Sequence, residues 1–427
     1  KDDGHGGVYN YAYSAEEKVW INEGEGKNPG DDDYFDILRM KDHGINSEAD
    51  LELTGNIYSG SYQQTINFFT NNNYTLDQDL FVFPYDWRKD VALTAPLLDQ
   101  KIEDIKTQTG ATKVDIVAHS MGGLVARNYI SDSNKASKVR KLITLGTPHL
   151  GAVKFLKTLQ YGDCLTDPRI NDLPFCIGIN PQEVKDLVNN YVSGYELAPS
   201  QKYYEFYDGS DNNHPLPFVD KRDIDNNGVT GFLNYQQLKN TLTDLNHNTS
   251  LFTPTETFHT LDNNLTNTNG VDVNIIAGSG KATLGQIIED YYLNFADIKI
   301  SKTDMRNING DGTVPLFSAS LVNGSKSLLG SAKIFYANQK HPDLVANGSA
   351  MNLVKNILSG NDNLPARISN TPFNFSGTGL SVHSPVLISA YDADNNHTGP
   401  LDNGDYEENI PGSSYEVIGD AKFIWLP

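Results

Sequence analysis

The stretch that most constrains the fold is VDIVAHSMGGLVAR, residues 114–127. It starts as a hydrophobic run typical of a buried strand and continues, after a short turn, as an apolar segment with helical spacing. Ala118 and Gly122, two places before and after Ser120, are small enough for a sharp and strained turn. Such a strand–turn–helix presents its serine at the edge of a sheet, and Ser120 is therefore predicted to be a nucleophile. The alternative is a serine in an ordinary strand-to-helix turn.

Short apolar strands alternate with helical segments over much of the chain. A helix is predicted for 93–109, where Leu97, Leu98, Ile102 and Ile105 recur at helical spacing, and another for 351–358. This alternation is typical of an α/β fold, with a mostly parallel sheet and helices on both of its faces. The predicted strands are LFVF (80–83), KVDIVA (113–118), KLITLG (141–146), VNIIAG (273–278) and KIFYA (333–337).

Changes in composition and in hydrophobic pattern divide the chain into four segments. We predict a first part of the core in 1–149, a cap insertion in 150–270, a second part of the core in 271–368 and a small all-β appendage in 369–427. The cap is rich in Asn, Pro and Tyr, whereas the appendage shows the apolar–polar alternation of antiparallel strands. The appendage is either a substrate-targeting module or a flap that stabilises the core, and the second reading is favoured.

A serine nucleophile needs an imidazole to take its proton and a carboxylate to orient that imidazole. In this type of fold the chain order is Ser, acid, His. His341 follows the strand KIFYA by four residues, where a loop leaves the carboxyl edge of the sheet, and it is the predicted base. Asp311 in NGDGTVP is the predicted acid, because its flanking glycines allow a tight turn, and Asp304 is the second choice. Either could instead belong to a plain surface loop.

The charge and the hydropathy exclude several classes of protein. With 33 Lys+Arg against 54 Asp+Glu the net charge is −21, which disfavours nucleic acid as the partner. No run approaches the roughly 20 apolar residues of a membrane span, and no signal peptide is visible ahead of KDDGHGG. The start is expected to be a mature terminus or an excised fragment. The two cysteines, Cys164 and Cys176, form either a local disulfide or two free thiols.

Four motifs in a fixed order carry a family resemblance. FVFPYDWR (81–88), VDIVAHSMGGLVAR (114–127), LITLGTPHLGA (142–152) and NGDGTVP (309–315) together resemble the lecithin:cholesterol acyltransferase-like family of α/β-hydrolases. The likeness covers roughly residues 18 to 358. It implies a lipase, phospholipase or acyltransferase with Asp311 at the position of the family's acid. It further implies an ester substrate, no cofactor and no metal.

The resemblance also carries expectations about the setting of the reaction. A protein that acts on lipid esters can contact a membrane or lipoprotein surface. We expect a monomer in an extracellular or cell-envelope location. Three functions stay open at this stage: hydrolysis of a lipid ester, transfer of the acyl group to an alcohol, and lipid or glycan binding without catalysis.

The oxyanion hole is only half visible in the sequence. The Met121 N–H, at the start of the helix after Ser120, is the one donor that can be named. The family's other donor lies in a loop after an early strand, and we expect that strand to lie upstream of Lys1. Trp87 is either a wall of the acyl site or a packing residue, while Asp86 and Arg88 are predicted to form a structural ion pair.

A possible calcium loop stands apart from these motifs. Asp223, Asp225 and Asn227 alternate as oxygen ligands do in an EF-hand loop, and Gly228 supplies the turn. The twelfth position of that loop is Asn234 rather than glutamate. A solvated turn closed by its own Asp and Asn side chains is therefore the preferred interpretation, and no metal site is predicted.

Overall fold

The computed structural model describes most of the chain from residue 33 onward. The described residues are 19, 33–41, 44–47, 49, 51, 53, 59–162, 181–206, 215–224, 226–293, 299–383, 386–401 and 406–427. Cys164, Cys176 and Asp225 lie outside them, so the predictions on a disulfide and on the complete calcium loop are not addressed.

Helices occur in both core segments and throughout the cap. They are α1 (Ser59–Thr70), α2 (Val91–Thr109), α3 (Met121–Ser131), α4 (Ser133–Ala136), α5 (Val153–Tyr161), α6 (Pro181–Val188), α7 (Val192–Leu197), α8 (Gln201–Phe206), α9 (Tyr235–Asp244), α10 (Phe252–His259), α11 (Leu316–Ser320) and α12 (Ser349–Ser359). Short 3-10 helices cover Asp33–Leu38, Thr249–Leu251, Thr260–Asn264 and His341–Val345. Within the described residues, none of these helices is long and apolar enough to cross a membrane.

Strands run from residue 114 to the end of the chain. They are β1 (Val114–His119), β2 (Val139–Leu145), β3 (Phe218–Asp220), β4 (Gly231–Phe232), β5 (Asp272–Gly278), β6 (Lys281–Leu293), β7 (Lys299–Gly310), β8 (Val322–Asn323), β9 (Lys326–Ser327), β10 (Lys333–Ala337), β11 (Ile368–Ser369), β12 (Thr378–Val382), β13 (Ala390–Tyr391), β14 (His397–Pro400), β15 (Tyr406–Glu408), β16 (Ser414–Ile418) and β17 (Ala421–Leu426).

The central sheet has the order β1-β2-β5-β10-β11. Its first four strands are parallel and β11 joins antiparallel, as the sequence predicts for a mostly parallel sheet. Successive strand residues face opposite sides. Leu142 packs in one core with the helices α2 and α3, and Ile143 packs in another with α1 and α12. The fold is therefore an α/β fold with helices on both faces of the sheet.

Four of the five predicted strands are confirmed, each within two residues at either end, and so are the helices predicted for 93–109 and 351–358. The prediction for 80–83 is wrong: Leu80 forms only an isolated bridge with Leu76, and residues 81–86 are irregular. A strand needs a neighbour for its backbone groups. In the described part of the chain β1 is the edge of the sheet, and nothing there pairs with 81–83.

A second sheet joins the cap to the later core segment. Its order is β4-β3-β6-β7, with β3 and β4 in the cap and the long hairpin β6–β7 after residue 270. Phe218 of β3 pairs with Ile287 of β6, so the boundary placed at 270 falls between strands that share one sheet. The hairpin ends at Gly310, directly before Asp311, and this sheet therefore positions the predicted acid.

The C-terminal segment is all-β in the residues that the structure describes. It holds two three-stranded sheets, β12-β17-β16 and β13-β14-β15. Ile418, Ala421 and Phe423 pack in the same hydrophobic core as α2 and α3. Lys157 of α5, which is 2% exposed, pairs with Glu416 of β16 at 2.6 Å. The appendage thus shares its core and a buried ion pair with the preceding segments.

Candidate active site

Ser120 lies on a strained turn between β1 and α3. Its φ of 51° and ψ of −129° lie where few residues other than glycine are found, and its N–H donates to the Leu145 carbonyl at 2.9 Å. A side chain has no room at Gly123, because a Cβ there would lie 1.8 Å from Thr147 Oγ1. A Cβ on Gly122 would meet nothing closer than Tyr85 Oη at 3.7 Å. The turn geometry is that of a nucleophile elbow.

Asp311 and His341 meet at the carboxyl edge of the central sheet. His341 Nδ1 donates to Asp311 Oδ2 at 2.7 Å, and the fully buried Asp311 accepts two more hydrogen bonds at Oδ1, from the N–H groups of Thr313 and Val314. The His341 N–H also donates to the Asp311 carbonyl at 2.8 Å. These bonds fix the carboxylate and the plane of the imidazole, and they leave His341 Nε2 for another partner.

Two glycines at strand ends make room for this pair. A Cβ on Gly146, after β2, would lie 2.9 Å from His341 Nδ1 and 3.0 Å from Asp311 Oδ2. A Cβ on Gly278, at the end of β5, would lie 2.3 Å from Asp311 Cβ. Because the Ser120 N–H bonds to the residue before Gly146, the turn and the Asp311–His341 pair lie beside each other.

His119 and Tyr62 are site residues that the sequence reasoning missed. His119 Nε2 lies 3.1 Å from the His341 carbonyl, and its Nδ1 lies 3.1 Å from Tyr62 Oη. A carbonyl only accepts, so Nε2 carries the proton and Tyr62 donates to Nδ1. Burial and the neighbouring His341 lower the pKa of His119 well below its usual value, which keeps the ring neutral. No sequence signal pointed to Tyr62, because α1 lies far from the other site residues in the chain.

Tyr85 is the second residue that was missed, and it lies in the irregular segment 81–86. Its ring stacks on Phe83, with 6.0 Å between the ring centres, and its hydroxyl faces the start of α3 near Gly122. Met121, the first residue of α3, has an N–H for which a helix offers no internal acceptor. The turn therefore carries a backbone donor and, close to it, a phenol.

In the comparison with protein families, residues 35–175 match the model described as lecithin:cholesterol acyltransferase. Among curated proteins, phospholipase A(1) LCAT3 of Arabidopsis thaliana is 28% identical over 122 residues, which are 28% of this chain and 25% of that protein. An uncharacterized protein of Saccharomyces cerevisiae is 37% identical over 79 residues, 17% of this chain and 12% of that protein. The matched segments thus span a quarter or less of these relatives.

Residues 35–175 of this chain are thus similar to lecithin:cholesterol acyltransferase. The family match contains the Ser120 turn and the segment with Tyr85. Among solved structures, the Tle4-Tli4 complex is 15% identical with a TM-score of 0.38, covering 74% of this chain and 77% of that one. Bacillus licheniformis lipase BlEst2 in its mature form is 15% identical with a TM-score of 0.28, covering 64% and 74%. The α/β architecture follows from the order and direction of the chain's own strands.

Trp87 packs edge-on against Tyr191, with 5.4 Å between the ring centres, at the edge of a core formed with cap helices. Its contact with an acyl chain stays a prediction. Arg88 is 4% exposed and binds Asp86 through two nitrogens, at 2.9 and 2.8 Å. Burial alone would raise the pKa of Asp86, but the hydrogen bonds from Arg88 hold it below its usual value. The pair is structural, as the sequence predicts.

The remaining candidates lie elsewhere. Asp304 is on β7 and accepts from the Met305 N–H at 2.9 Å, whereas Asp311 is the carboxylate that holds His341. Asp223 accepts from the Gly228 N–H, and Asn227 accepts from the Val229 N–H at 2.8 Å. In the part of the chain that the structure describes, no cluster of three His, Cys, Asp or Glu side chains is placed to bind a metal ion.

Proposed function

We propose that this chain is a serine ester hydrolase of lipid esters, with Ser120 as nucleophile, His341 as base and Asp311 as the acid that orients the base. The observation that carries the proposal is the 2.7 Å contact of His341 Nδ1 with Asp311 beside the strained Ser120 turn. A serine in such a turn is exposed to substrate, and an imidazole held by a buried carboxylate is the group that activates it.

The reaction follows from these positions. Ser120 Oγ attacks the ester carbonyl carbon while its proton moves to His341 Nε2, and the carbonyl π electrons move onto the oxygen. The Met121 N–H donates a hydrogen bond to that oxygen. When the intermediate collapses, the alcohol leaves with the proton from His341 and an acyl-enzyme remains. Water then attacks the acyl-enzyme by the same steps, and the carboxylic acid product is released.

The lipid part of the proposal rests on the family match and on the name of one relative. The family model is described by a lipid acyl transfer, and the Arabidopsis relative is named a phospholipase A(1). We include contact with a membrane or lipoprotein surface, a monomeric state and an extracellular or cell-envelope location in the same proposal. The net charge of −21 gives no support to a nucleic-acid partner.

Acyl transfer to an alcohol is the second candidate, because the matching family model is described as an acyltransferase. The acyl-enzyme would be the same, and only the acceptor would differ. An alcohol added during turnover of an aryl ester distinguishes the two. Appearance of the new ester at the expense of free acid favours transfer, and unchanged acid release favours hydrolysis.

The test of the proposal is turnover of a short-chain aryl ester by Ser120→Ala and His341→Ala. Both variants should lose at least about 1000-fold in kcat, because the triad acts as a unit. Ser131→Ala is the matched control, since Ser131 ends the same helix and is exposed. Retained turnover in Ser120→Ala would contradict the proposal. A parent chain that binds lipid without turning over any ester would favour the non-catalytic alternative.

A further inference from the structure

The oxyanion in the proposed reaction needs more than one donor. Removing one donor from such a site costs about 10²–10³ in kcat, so a site with a single donor would be slow. The Met121 N–H is one of them. The Ser120 N–H is not free for this task, because it donates to the Leu145 carbonyl at 2.9 Å. Within the residues that the structure describes, a second donor can come from a side chain near the first turn of α3.

We propose that the Tyr85 hydroxyl is this second donor, so that Tyr85 is a catalytic residue that touches the developing oxyanion. The inference rests on the proposed function. Tyr85 Oη lies 3.7 Å from the position of a Cβ on Gly122, the residue directly after Met121. Because Gly122 has no side chain, nothing from that residue stands between the phenol and the first turn of the helix.

The hydroxyl is available as a donor. It makes no hydrogen bond within the described part of the chain, unlike that of Tyr62, which is bonded to His119. Burial, together with the nearby Tyr62, raises the pKa of Tyr85. The group thus keeps its proton at every pH at which His341 can act as a base, and a phenol O–H is a strong donor to an oxyanion.

The position of Tyr85 is fixed by the segment that carries it. The ring stacks on Phe83, and the next residue, Asp86, is anchored by the buried Arg88, whose Nη1 also donates to the Leu38 carbonyl at 2.9 Å. A donor held in place before the reaction loses little free energy to reorganisation when the charge forms. In the step itself no proton leaves Tyr85: the Ser120 proton goes to His341, the Oγ–C bond forms, and Tyr85 only donates a hydrogen bond to the oxygen.

Tyr85→Phe tests the assignment, since it removes one oxygen and keeps the stacked ring. We expect kcat for a short-chain aryl ester to fall roughly 100-fold with KM changed less than about 3-fold. Affinity for a trifluoromethyl ketone, which forms an oxyanion on reaction with the serine, should fall by the same factor as kcat/KM. Tyr74→Phe is the matched control, because Tyr74 packs edge-on against Phe69 away from the turn.

Three outcomes separate this inference from the proposed function. Loss of activity in Ser120→Ala with full kcat and full ketone affinity in Tyr85→Phe would overturn the role of Tyr85 alone. Full activity in Ser120→Ala, or no turnover by the parent chain, would overturn the proposed function and this inference with it. A fall in kcat without a matching fall in ketone affinity would mean that Tyr85 acts through packing, and would also overturn the assignment. An unchanged thermal midpoint for Tyr85→Phe checks that the variant is folded.

Discussion

At the scale of single residues, the buried His149 is as informative as the proposed triad. His149, which follows the β2 strand by four residues, is 3% exposed, and both of its ring nitrogens are without a hydrogen-bond partner in the described part of the chain. Burial, followed by the charge of Arg127, lowers the pKa of His149 to about 3. The ring is therefore neutral in the folded chain at pH values where an unfolded chain would be protonated.

The consequence is a pH dependence of stability to which His149 contributes. Between about pH 6.5 and pH 3 the unfolded state binds a proton at this position and the folded state does not, so the free energy of unfolding falls as the pH falls. The contribution is about 1.4 kcal/mol per pH unit for one such proton. His149→Phe should flatten the dependence relative to the parent chain, as followed by urea unfolding at pH 7, 6, 5 and 4. Parallel curves for the two proteins would contradict this account.

At the scale of elements, the appendage contacts the loop that carries the predicted base. Lys340, which precedes His341, donates to Glu408 of β15 at 2.7 Å and to the Ser413 carbonyl at 3.2 Å. The side chains of Lys340 and Glu408 are only 18% and 14% exposed. Glu408 also accepts from the Tyr415 N–H at 2.8 Å, so both ends of the ion pair are held.

Breaking this pair should affect the loop as well as stability. Glu408→Gln leaves the Lys340 charge poorly compensated, and we expect a loss of about 1–3 kcal/mol in the free energy of unfolding together with a several-fold fall in kcat. Lys340→Met combined with Glu408→Leu should recover part of the stability, because no buried charge then remains. A double-mutant cycle measures the coupling. Additive losses in stability and in kcat would show that the two side chains do not act together.

The elements also show which parts of the structure the sequence could predict. The strands β1, β2, β5 and β10 were predictable because each is a short apolar run between turns. The hairpin β6–β7 was not predicted, since KISKTDMRNING of β7 is largely polar and β6 pairs with β3, far away in the chain. Tyr62 was missed because its contact with His119 joins two segments that are far apart in the chain. Ser120, Asp311 and His341 could be named because each lies in a local motif, whereas the contacts between them depend on the sheet.

At the scale of the whole molecule, the appendage is expected to act as a stabilising flap. Ile418, Ala421 and Phe423 pack in the core shared with α2 and α3, and Glu416 is the partner of the buried Lys157. Deleting 369–427 would expose that core and leave Lys157 without this carboxylate. We expect the thermal midpoint to fall by at least about 5 °C, as measured by calorimetry. An unchanged midpoint with weaker binding to lipid vesicles would favour a targeting module instead.

The central claim is that Ser120 is the nucleophile of a Ser–His–Asp triad. The most direct measurement is peptide mass spectrometry of the chain after reaction with a fluorophosphonate, which forms a stable bond to an activated serine. The account predicts one adduct, on the peptide that contains Ser120, absent from Ser120→Ala and formed far more slowly in His341→Ala. An adduct on a different serine, or equal rates in the parent chain and in His341→Ala, would contradict it.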